Sequence, residues 1–290
     1  MNYEAPKQDQ EIADNTNPWE ELVDDSSESW SQHVENAKQL IERTEAPVKR
    51  KINLEKPKMT YRDKDGSIVE TRDVIHTFYS SFNRYPAQKE AVSGAMQESI
   101  KENRPLSVVN IGVAQGQEAL GYIQMASDMT GENSIDDALD LELVEYADKT
   151  TISPNYHFAH ISDSSAKYLE NLFNTPKAHF GTPFQQFAKE LKDKGEKRDV
   201  VLFNNVIQHL DYSVPEDQMR EDMANLADIV ADGGMLCMTC NQYTKEPEVR
   251  KLFDDTVKIL EEKGFLGSSE FCGEMVGQQA IYKKPKQESE

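Results

Sequence analysis

The stretch LSVVNIGVAQGQEALG, residues 106–121, decides the fold of this chain. Its short apolar run, Leu106 to Ile111, predicts a buried parallel strand. Gly112 and Gly116 follow the run, and a helical pattern that carries Glu118 comes next. A strand, a glycine-containing turn and a helix N-terminus in this order present backbone N–H groups to a nucleotide-like ligand.

The two glycines predict how such a ligand would meet the chain. We expect Gly112 to permit the tight turn, and Gly116 to let a ligand approach the backbone without a Cβ in the way. The spacing G-x-x-x-G-x-E differs from the dinucleotide fingerprint G-x-G-x-x-G, and it lacks the Lys-Ser/Thr pair of a P-loop. The turn therefore predicts a ligand site without fixing the ligand.

The composition limits the classes of function. With 290 residues, 37% of them hydrophobic, the chain can bury one core of about 220 residues plus extensions. The net charge of -20 argues against binding to DNA or RNA phosphates, which demands clustered Lys and Arg. No stretch approaches the about 18 apolar residues that cross a bilayer, and the N-terminus is acidic rather than signal-like. We therefore expect a cytoplasmic protein with neither a nucleic acid nor a membrane as partner.

The three cysteines favour a reducing compartment over a disulfide framework. Cys237 and Cys240 form a C-x-x-C within the strand-like run MLCMTCN, and Cys272 stands apart. A zinc site would need a second ligand pair, which the sequence lacks. We expect the pair to pack in the core, and we expect no metal.

Three parts of the chain differ in composition. Residues 1–45 carry twelve acidic and three basic side chains, and residues 1–28 are predicted to be a disordered acidic tail. Residues 29–104 form an N-terminal extension, and residues 105–285 form the ligand-binding domain. Within the extension we expect a helix over 29–44, a hairpin within 47–70, and a helix over 73–101 in which Pro86 marks a break or a start.

From Leu106 onward strands and helices alternate, which predicts an α/β, doubly wound, mostly parallel sheet with helices on both faces. Ligands of such sheets bind beyond the carboxyl ends of the strands, where the strand order reverses. The predicted strands are 106–111, 140–145, 177–180, 199–204, 234–239, 269–273 and 278–283, and the predicted helices are 116–129, 163–174, 184–194, 215–230 and 247–263.

Three further features belong to the same edge of the predicted sheet. The strand LDLELVE ends on Glu145, whose carboxylate can accept both hydroxyls of a ribose. The apolar strand before Asn204 and Asn205 leads on to His209. The segment ADGGMLCMT, residues 231–239, indicates a helix end, a Gly-Gly turn and another buried strand.

Together these motifs resemble the class I S-adenosylmethionine-dependent methyltransferases. The glycine loop of that family matches residues 106–118, and its acidic second-strand end matches Glu145. Its N-V-x-x-H-L after the fourth strand matches Asn205 to Leu210, and its L-x-P-G-G-x-L matches Ile229 to Leu236, with Asp232 where proline is commonest.

Within that class the closest resemblance is to the chemotaxis-receptor (CheR-like) glutamate O-methyltransferases. Their G-x-x-x-G-E-E loop matches residues 112–118, and their R-N-V matches Asn204-Asn205-Val206. Two features depart from that branch. Its T-x-F-F-R carries a pocket arginine, whereas this chain has His76-Thr77-Phe78-Tyr79-Ser80. Its basic N-terminal helical domain is replaced by the acidic tail.

The resemblance implies a Rossmann-like methyltransferase fold and S-adenosyl-L-methionine as cofactor. It places Glu145 on the ribose and Asn205 near the reacting end, in contact with cofactor or substrate. If residues 157–165 were the second strand, Asp163 would replace Glu145, but the apolar run before Glu145 favours Glu145. His209 is either structural and cofactor-lining or a general base. The cofactor would lie across a loop made of Gly112, Val113, Ala114, Gln115, Gly116 and Glu118.

The expected function is methyl transfer to a carboxylate or another oxygen of a protein or small-molecule acceptor. A degenerate, non-catalytic cofactor-binding or interaction protein is the alternative, favoured by the missing arginine and the acidic tail. A nucleotide-dependent oxidoreductase is disfavoured by the glycine spacing. The sequence does not indicate the oligomeric state.

Overall fold

The computed structural model of this protein describes residues 59–62, 68–71, 85–113, 116–146, 149–150, 162–272 and 277–286. Several predictions lie outside these residues. They are the acidic tail, the helix over 29–44, the segment His76–Ser80, and the loop residues Ala114 and Gln115.

The described elements follow the predicted alternation. The extension holds strands β1 (Met59–Arg62) and β2 (Ile68–Thr71) and helix α1 (Pro86–Lys101). The remainder consists of β3 (Leu106–Ile111), α2 (Gln117–Thr130), α3 (Ile135–Ala138), β4 (Leu139–Glu145), β5 (Lys149–Thr150), α4 (Asp163–Leu172), β6 (Ala178–Phe180), α5 (Phe184–Lys194), β7 (Arg198–Asn204), a 3-10 turn (Ile207–His209), α6 (Glu216–Asp228), β8 (Val230–Cys240), α7 (Pro247–Glu262), β9 (Leu266–Phe271) and β10 (Gln278–Lys283).

The main sheet among the described residues has the strand order β6-β4-β3-β7-β8-β10-β9. The five strands from β6 to β8 are parallel, and β10 runs antiparallel to both β8 and β9. The chain moves outward from β3 to β4 and β6, and then returns to β7 on the other side of β3. The order therefore reverses between β3 and β7. This is the doubly wound, Rossmann-like methyltransferase fold, and the fold prediction is confirmed.

Helices cover both faces of this sheet, which explains why the central strands carry apolar residues on both faces. Val108 and Leu202 belong to the core under α1, α2, α3 and α4. Val109 and Phe203 belong to the core under α5, α6 and α7. Successive residues of one strand thus enter opposite cores. No helix within the described ranges is long and apolar enough to cross a bilayer.

The N-terminal extension contains the predicted hairpin. Strand β1 pairs antiparallel with β2, and it also pairs with β5, which follows β4 closely in the chain. Helix α1 begins at Pro86, a first helical position where a missing N–H costs nothing. The first part of the predicted helix over 73–101 lies outside the described residues.

Two predictions about the later strands are wrong. Strand β8 begins at Val230, so Gly233 and Gly234 lie inside the strand rather than in a turn before it. They form a local irregularity in the pairing with β7, where a Cβ on Gly234 would lie 2.6 Å from the carbonyl oxygen of Asp199. Glycine at this point permits the close approach of two backbones. Strand β9 spans Leu266–Phe271 rather than 269–273.

Candidate functional site

The turn after β3 lies at the point where the strand order reverses. The N–H of Gly112 donates to the carbonyl oxygen of Val144 in β4 at 2.9 Å. Gly112 has a φ of +78°, and a Cβ there would lie 2.5 Å from Cγ2 of Val206. Glycine is therefore required here both by the backbone conformation and by the packing of the loop after β7. The prediction of a tight turn at Gly112 agrees with this geometry.

Gly116 is the N-cap of α2, and α4 packs against it. It precedes α2 with a φ of +83°, and its N–H donates to the carbonyl oxygen of Val113 at 2.8 Å. A Cβ on Gly116 would lie 2.9 Å from Cδ2 of Leu169 and 3.3 Å from the ring of Phe173. The space left by its missing side chain is thus occupied by α4 and the residue after it. A bulky residue at Gly116 would disturb the core as well as any ligand.

Val113 is a core residue, only 4% exposed. It packs with the residues under α2 and α4. A ligand lying over this turn would therefore meet the backbone of Val113 rather than its side chain.

Glu118 is held in a network that ties three elements together. Its Oε1 accepts hydrogen bonds from Nε2 of Gln88 in α1, at 2.9 Å, and from Nδ2 of Asn204 in β7. Gln88 also donates to the hydroxyl of Tyr122 at 2.6 Å. Burial, and then the charge of Glu118, raise the pKa of Tyr122. The structure thus gives Glu118 a place inside the fold, and Gln88 and Tyr122 are members that the sequence did not reveal.

Glu145 ends β4 at the same edge of the sheet as Gly112. It is 6% exposed, and the following residue, Tyr146, is exposed. Asp163, the alternative ribose ligand, is the exposed first residue of α4, after the N-cap Ser162. The strand next to β3 is therefore the one that ends on Glu145. The alternative assignment of residues 157–165 as the second strand is wrong for its described part, because those residues enter a helix.

Asn205 follows β7 in a left-handed conformation, with a φ of +54°. Its side-chain Nδ2 donates to the hydroxyl of Tyr85 at 2.6 Å, and its Oδ1 accepts from the backbone N–H of Asn241 at 3.1 Å. Both polar atoms of the side chain are therefore engaged within the protein. Asparagine tolerates this backbone conformation better than most residues do.

Four neutral side chains form a polar row on one face of the sheet near its carboxyl edge: Asn110, Asn204, Thr239 and Gln279. Asn204 lies opposite Thr239, and Thr239 lies opposite Gln279. All four are at least nine-tenths buried, and each has a polar atom with no hydrogen-bond partner in the part of the chain that the structure describes. Such an atom costs about 1–3 kcal/mol. In the sequence, this row is indicated only by polar residues within the apolar runs VVNIG, LFNN and CMTC.

His209 ends the 3-10 turn that packs against α7. Desolvation among its neighbours lowers the pKa of the ring, and the carboxylate of Glu246 offsets this only in part. Its Nε2 lies 3.4 Å from Nε2 of Gln208. The residue is exposed, and the carboxylate that acts on the ring belongs to the segment before α7.

The cysteine pair lies in the core, as expected. Cys237 and Cys240 are buried and unbridged. Burial raises the pKa of both thiols, that of Cys240 to about 11. Among the described residues no group of His, Cys, Asp and Glu side chains could hold a metal ion.

No protein-family model and no curated protein matches this chain. Solved structures of similar fold do match. The N-methyltransferase NodS from Bradyrhizobium japonicum, in complex with S-adenosyl-L-homocysteine, is 13% identical, with a TM-score of 0.38 over 68% of this chain and 88% of NodS. Magnesium protoporphyrin IX methyltransferase from Synechocystis, with bound S-adenosylmethionine, is 14% identical, with a TM-score of 0.40 over 70% and 80% of the two chains. An O-methyltransferase family protein from Burkholderia thailandensis is 13% identical, with a TM-score of 0.40 over 73% and 60%. The likeness to these methyltransferases is one of fold.

Proposed function

We propose that this protein is an S-adenosylmethionine-dependent methyltransferase. The observation that carries the proposal is the position of Glu145. This buried carboxylate ends β4 directly beside the Gly112 turn, at the point where the strand order reverses. A carboxylate in this position can accept both hydroxyls of a ribose in charge-assisted hydrogen bonds. The turn leads into the N-terminus of α2, and the N–H groups of a helix N-terminus suit the polar end of the same ligand.

The residues of this edge suit a positively charged sulfonium nucleoside. Glu118 and Glu145 bring negative charge to it, and the exposed ring of Tyr146 stands next to Glu145 for contact with a base. When bound, the cofactor would supply an activated methyl group. The protein's own part is to fix the ribose and to align the acceptor, because methyl transfer depends mainly on in-line positioning and exclusion of water.

The acceptor in this proposal is an oxygen, either of a carboxylate or of a hydroxyl. A carboxylate acceptor needs no base. A hydroxyl acceptor does, and a neutral imidazole such as that of His209 can take its proton. Methylation of receptor glutamates remains a narrower proposal that rests on the short sequence matches at residues 112–118 and 204–206.

A non-catalytic cofactor-binding protein is the second candidate. The observation that favours it is the engagement of both polar atoms of Asn205, the residue expected near the reacting end, with Tyr85 and Asn241. An amide held in this way stabilises the loop rather than contacting a substrate.

Calorimetric titration of the full chain with S-adenosylhomocysteine and with NAD tests the proposal. We expect binding of S-adenosylhomocysteine and no heat from NAD. Binding of NAD alone would favour an oxidoreductase. Binding of neither ligand would contradict the methyltransferase and the non-catalytic cofactor-binding protein alike. Release of S-adenosylhomocysteine from S-adenosylmethionine in the presence of candidate acceptors then separates an enzyme from a binding protein.

A further inference from the structure

Strand β9 forms one end of the main sheet, and its outer edge is unpaired in the part of the chain that the structure describes. The usual protections of an edge are charged side chains, Pro, a bulge or short length, and of these β9 carries only the charge of Glu270. It pairs with β10 over six residues without interruption. The opposite edge strand, β6, has only three residues. Strand β9 is therefore the edge that is available for pairing with another chain.

Residues on both faces of β9 are exposed, with Ser269 half-buried. Leu266 at its start is 70% exposed and Phe271 at its end is 51% exposed. Between them lie Gly267, Ser268, Ser269 and Glu270, which give the strand a single charge. Exposed apolar residues at both ends of an edge with a single charge are typical of an association surface.

The pairing with β10 shows which backbone groups point outward. The N–H of Cys272 donates to the carbonyl oxygen of Gly277 at 2.9 Å. Because this direction alternates along a strand, the backbone groups of Gly267, Ser269 and Phe271 point away from β10 and toward solvent. These three residues hold the free donors and acceptors of the edge.

We infer that β9 pairs antiparallel with β9 of a second copy of this chain, about a two-fold axis at Ser269. In this register Ser269 lies opposite the same residue of the other copy, and Gly267 lies opposite Phe271. Every outward-facing N–H and C=O group of the edge then has a partner. A register centred on Ser268 would pair Gly267 with Ser269. The outward N–H and C=O groups of Phe271 would then have no partner within β9 of the other copy.

The same register accounts for the exposed side chains. Phe271 of one copy covers Gly267 of the other, which already lies beside Tyr282 in its own sheet. Leu266 lies opposite Cys272, so that both exposed apolar groups are covered. Glu270 lies opposite Ser268, and no like charges meet directly. A second copy therefore complements each residue of this edge.

The net charge of -20 on each chain opposes this association at long range. Added salt screens that repulsion. The dimer should therefore become tighter as the salt concentration rises, whereas a complex held by ion pairs would become weaker.

Sedimentation velocity on the full chain gives the first measurement. We expect a species of twice the 33.0 kDa chain mass, favoured by salt. Ser269→Pro should yield the monomer, because it removes an outward N–H that bonds to no described residue and places proline on an edge. Ser269→Ala, the matched control, should remain dimeric. Both variants should keep the affinity of the parent for S-adenosylhomocysteine, because β9 is separated from β3 by three strands.

Cysteine cross-linking in a Cys272→Ala background tests the register. Ser269→Cys should form an intermolecular disulfide under mild oxidation, because the paired Cα atoms lie about 5.5 Å apart. Ser268→Cys should not, because it lies two residues out of register, about 8 Å from its counterpart. A monomeric parent at all salt concentrations, or cross-linking at Ser268 rather than at Ser269, would overturn the inference.

Discussion

The amino ends and the carboxyl ends of the strands of the main sheet carry different polar groups. Toward the amino ends of the strands, charged side chains form ion pairs. Lys192 and Lys263 both pair with Asp228, and Nζ of Lys284 lies 2.8 Å from Asp232. Toward the carboxyl ends, the polar row consists of neutral groups with unpartnered atoms. Within the described residues, the unpartnered atoms of the main sheet's own strands lie in this row.

The two ends of the strands therefore differ in how their polar groups affect the stability of the fold. The ion pairs at Asp228 link α5, α6 and the residue that follows α7. Buried polar atoms without partners lower stability and persist where the fold serves another purpose. In open parallel sheets that purpose is ligand binding beyond the carboxyl ends of the strands. The comparison therefore supports a site beside β3, β4 and β7.

The largest expected effect is at the carboxyl edge. Glu145→Ala should weaken binding of S-adenosylhomocysteine by roughly 10- to 100-fold, because it removes charge-assisted bonds worth on the order of 1.5–3 kcal/mol. Calorimetry on the folded variant measures this change. Asp163→Ala, an exposed carboxylate in the first turn of α4, is the matched control and should bind as the parent does. Loss of affinity in the control alone would reassign the ribose contact.

A smaller effect, on the free energy of unfolding, is expected at the ion pairs of Glu142. Arg198, the first residue of β7, lies 2.7 Å from Glu142, and His179 lies 2.8 Å from the other oxygen of that carboxylate. Burial opposes ionisation, but the bonds from His179 and Arg198 prevail and lower the pKa of Glu142 below its ordinary value of 4.5. Glu142→Gln should reduce the free energy of unfolding by about 1–3 kcal/mol near neutral pH.

The pH dependence of this loss follows from the direction of the pKa shift. A carboxyl group with a lowered folded pKa contributes its full stability above the unfolded pKa and loses it as the pH falls through the folded value. Urea denaturation of parent and Glu142→Gln should therefore converge below pH 4.5. An unchanged difference in acid would show that the charge of Glu142 is not what stabilises the fold.

The smallest effect concerns two buried threonines. Thr239 in the polar row has an unpartnered hydroxyl, whereas the hydroxyl of Thr256 donates to the carbonyl oxygen of Leu252 at 2.7 Å. Thr239→Val should leave the melting temperature unchanged or raise it, because valine has nearly the shape of threonine and lacks the unsatisfied hydroxyl. Thr256→Val should lower the free energy of unfolding by about 0.5–1.5 kcal/mol. A Thr239→Val variant less stable than Thr256→Val would contradict the description of the polar row.

The sequence predicted the elements better than the contacts between them. Strands 106–111 and 278–283 and helix 184–194 were predicted to the residue. An apolar run marks the first strand, and a repeat of about 3.6 residues marks the helix. The irregularity at Gly233 and Gly234 was missed, because a Gly-Gly pair predicts a turn and an irregular strand equally well.

The candidate site was predicted in its positions but not in its bonds. Gly112 and Glu145 lie at strand ends that local pattern can place. The bond from Asn205 to Tyr85 joins residues 120 positions apart, and that from Asn204 to Glu118 joins residues 86 positions apart. No periodicity links such distant residues. The local pattern therefore offered Glu118 and Asn205 as ligand contacts, whereas the fold itself engages both.

Hydrogen exchange of the full chain with and without saturating S-adenosylhomocysteine tests the central claim most directly. We predict slower exchange in the turn over residues 112–118 and around the ends of β4 and β7, with no change at the lysine-rich amino edge or in β9. Protection confined to the amino edge or to β9, in a protein that binds S-adenosylhomocysteine, would contradict the placement of the site at the carboxyl edge between β3 and β7.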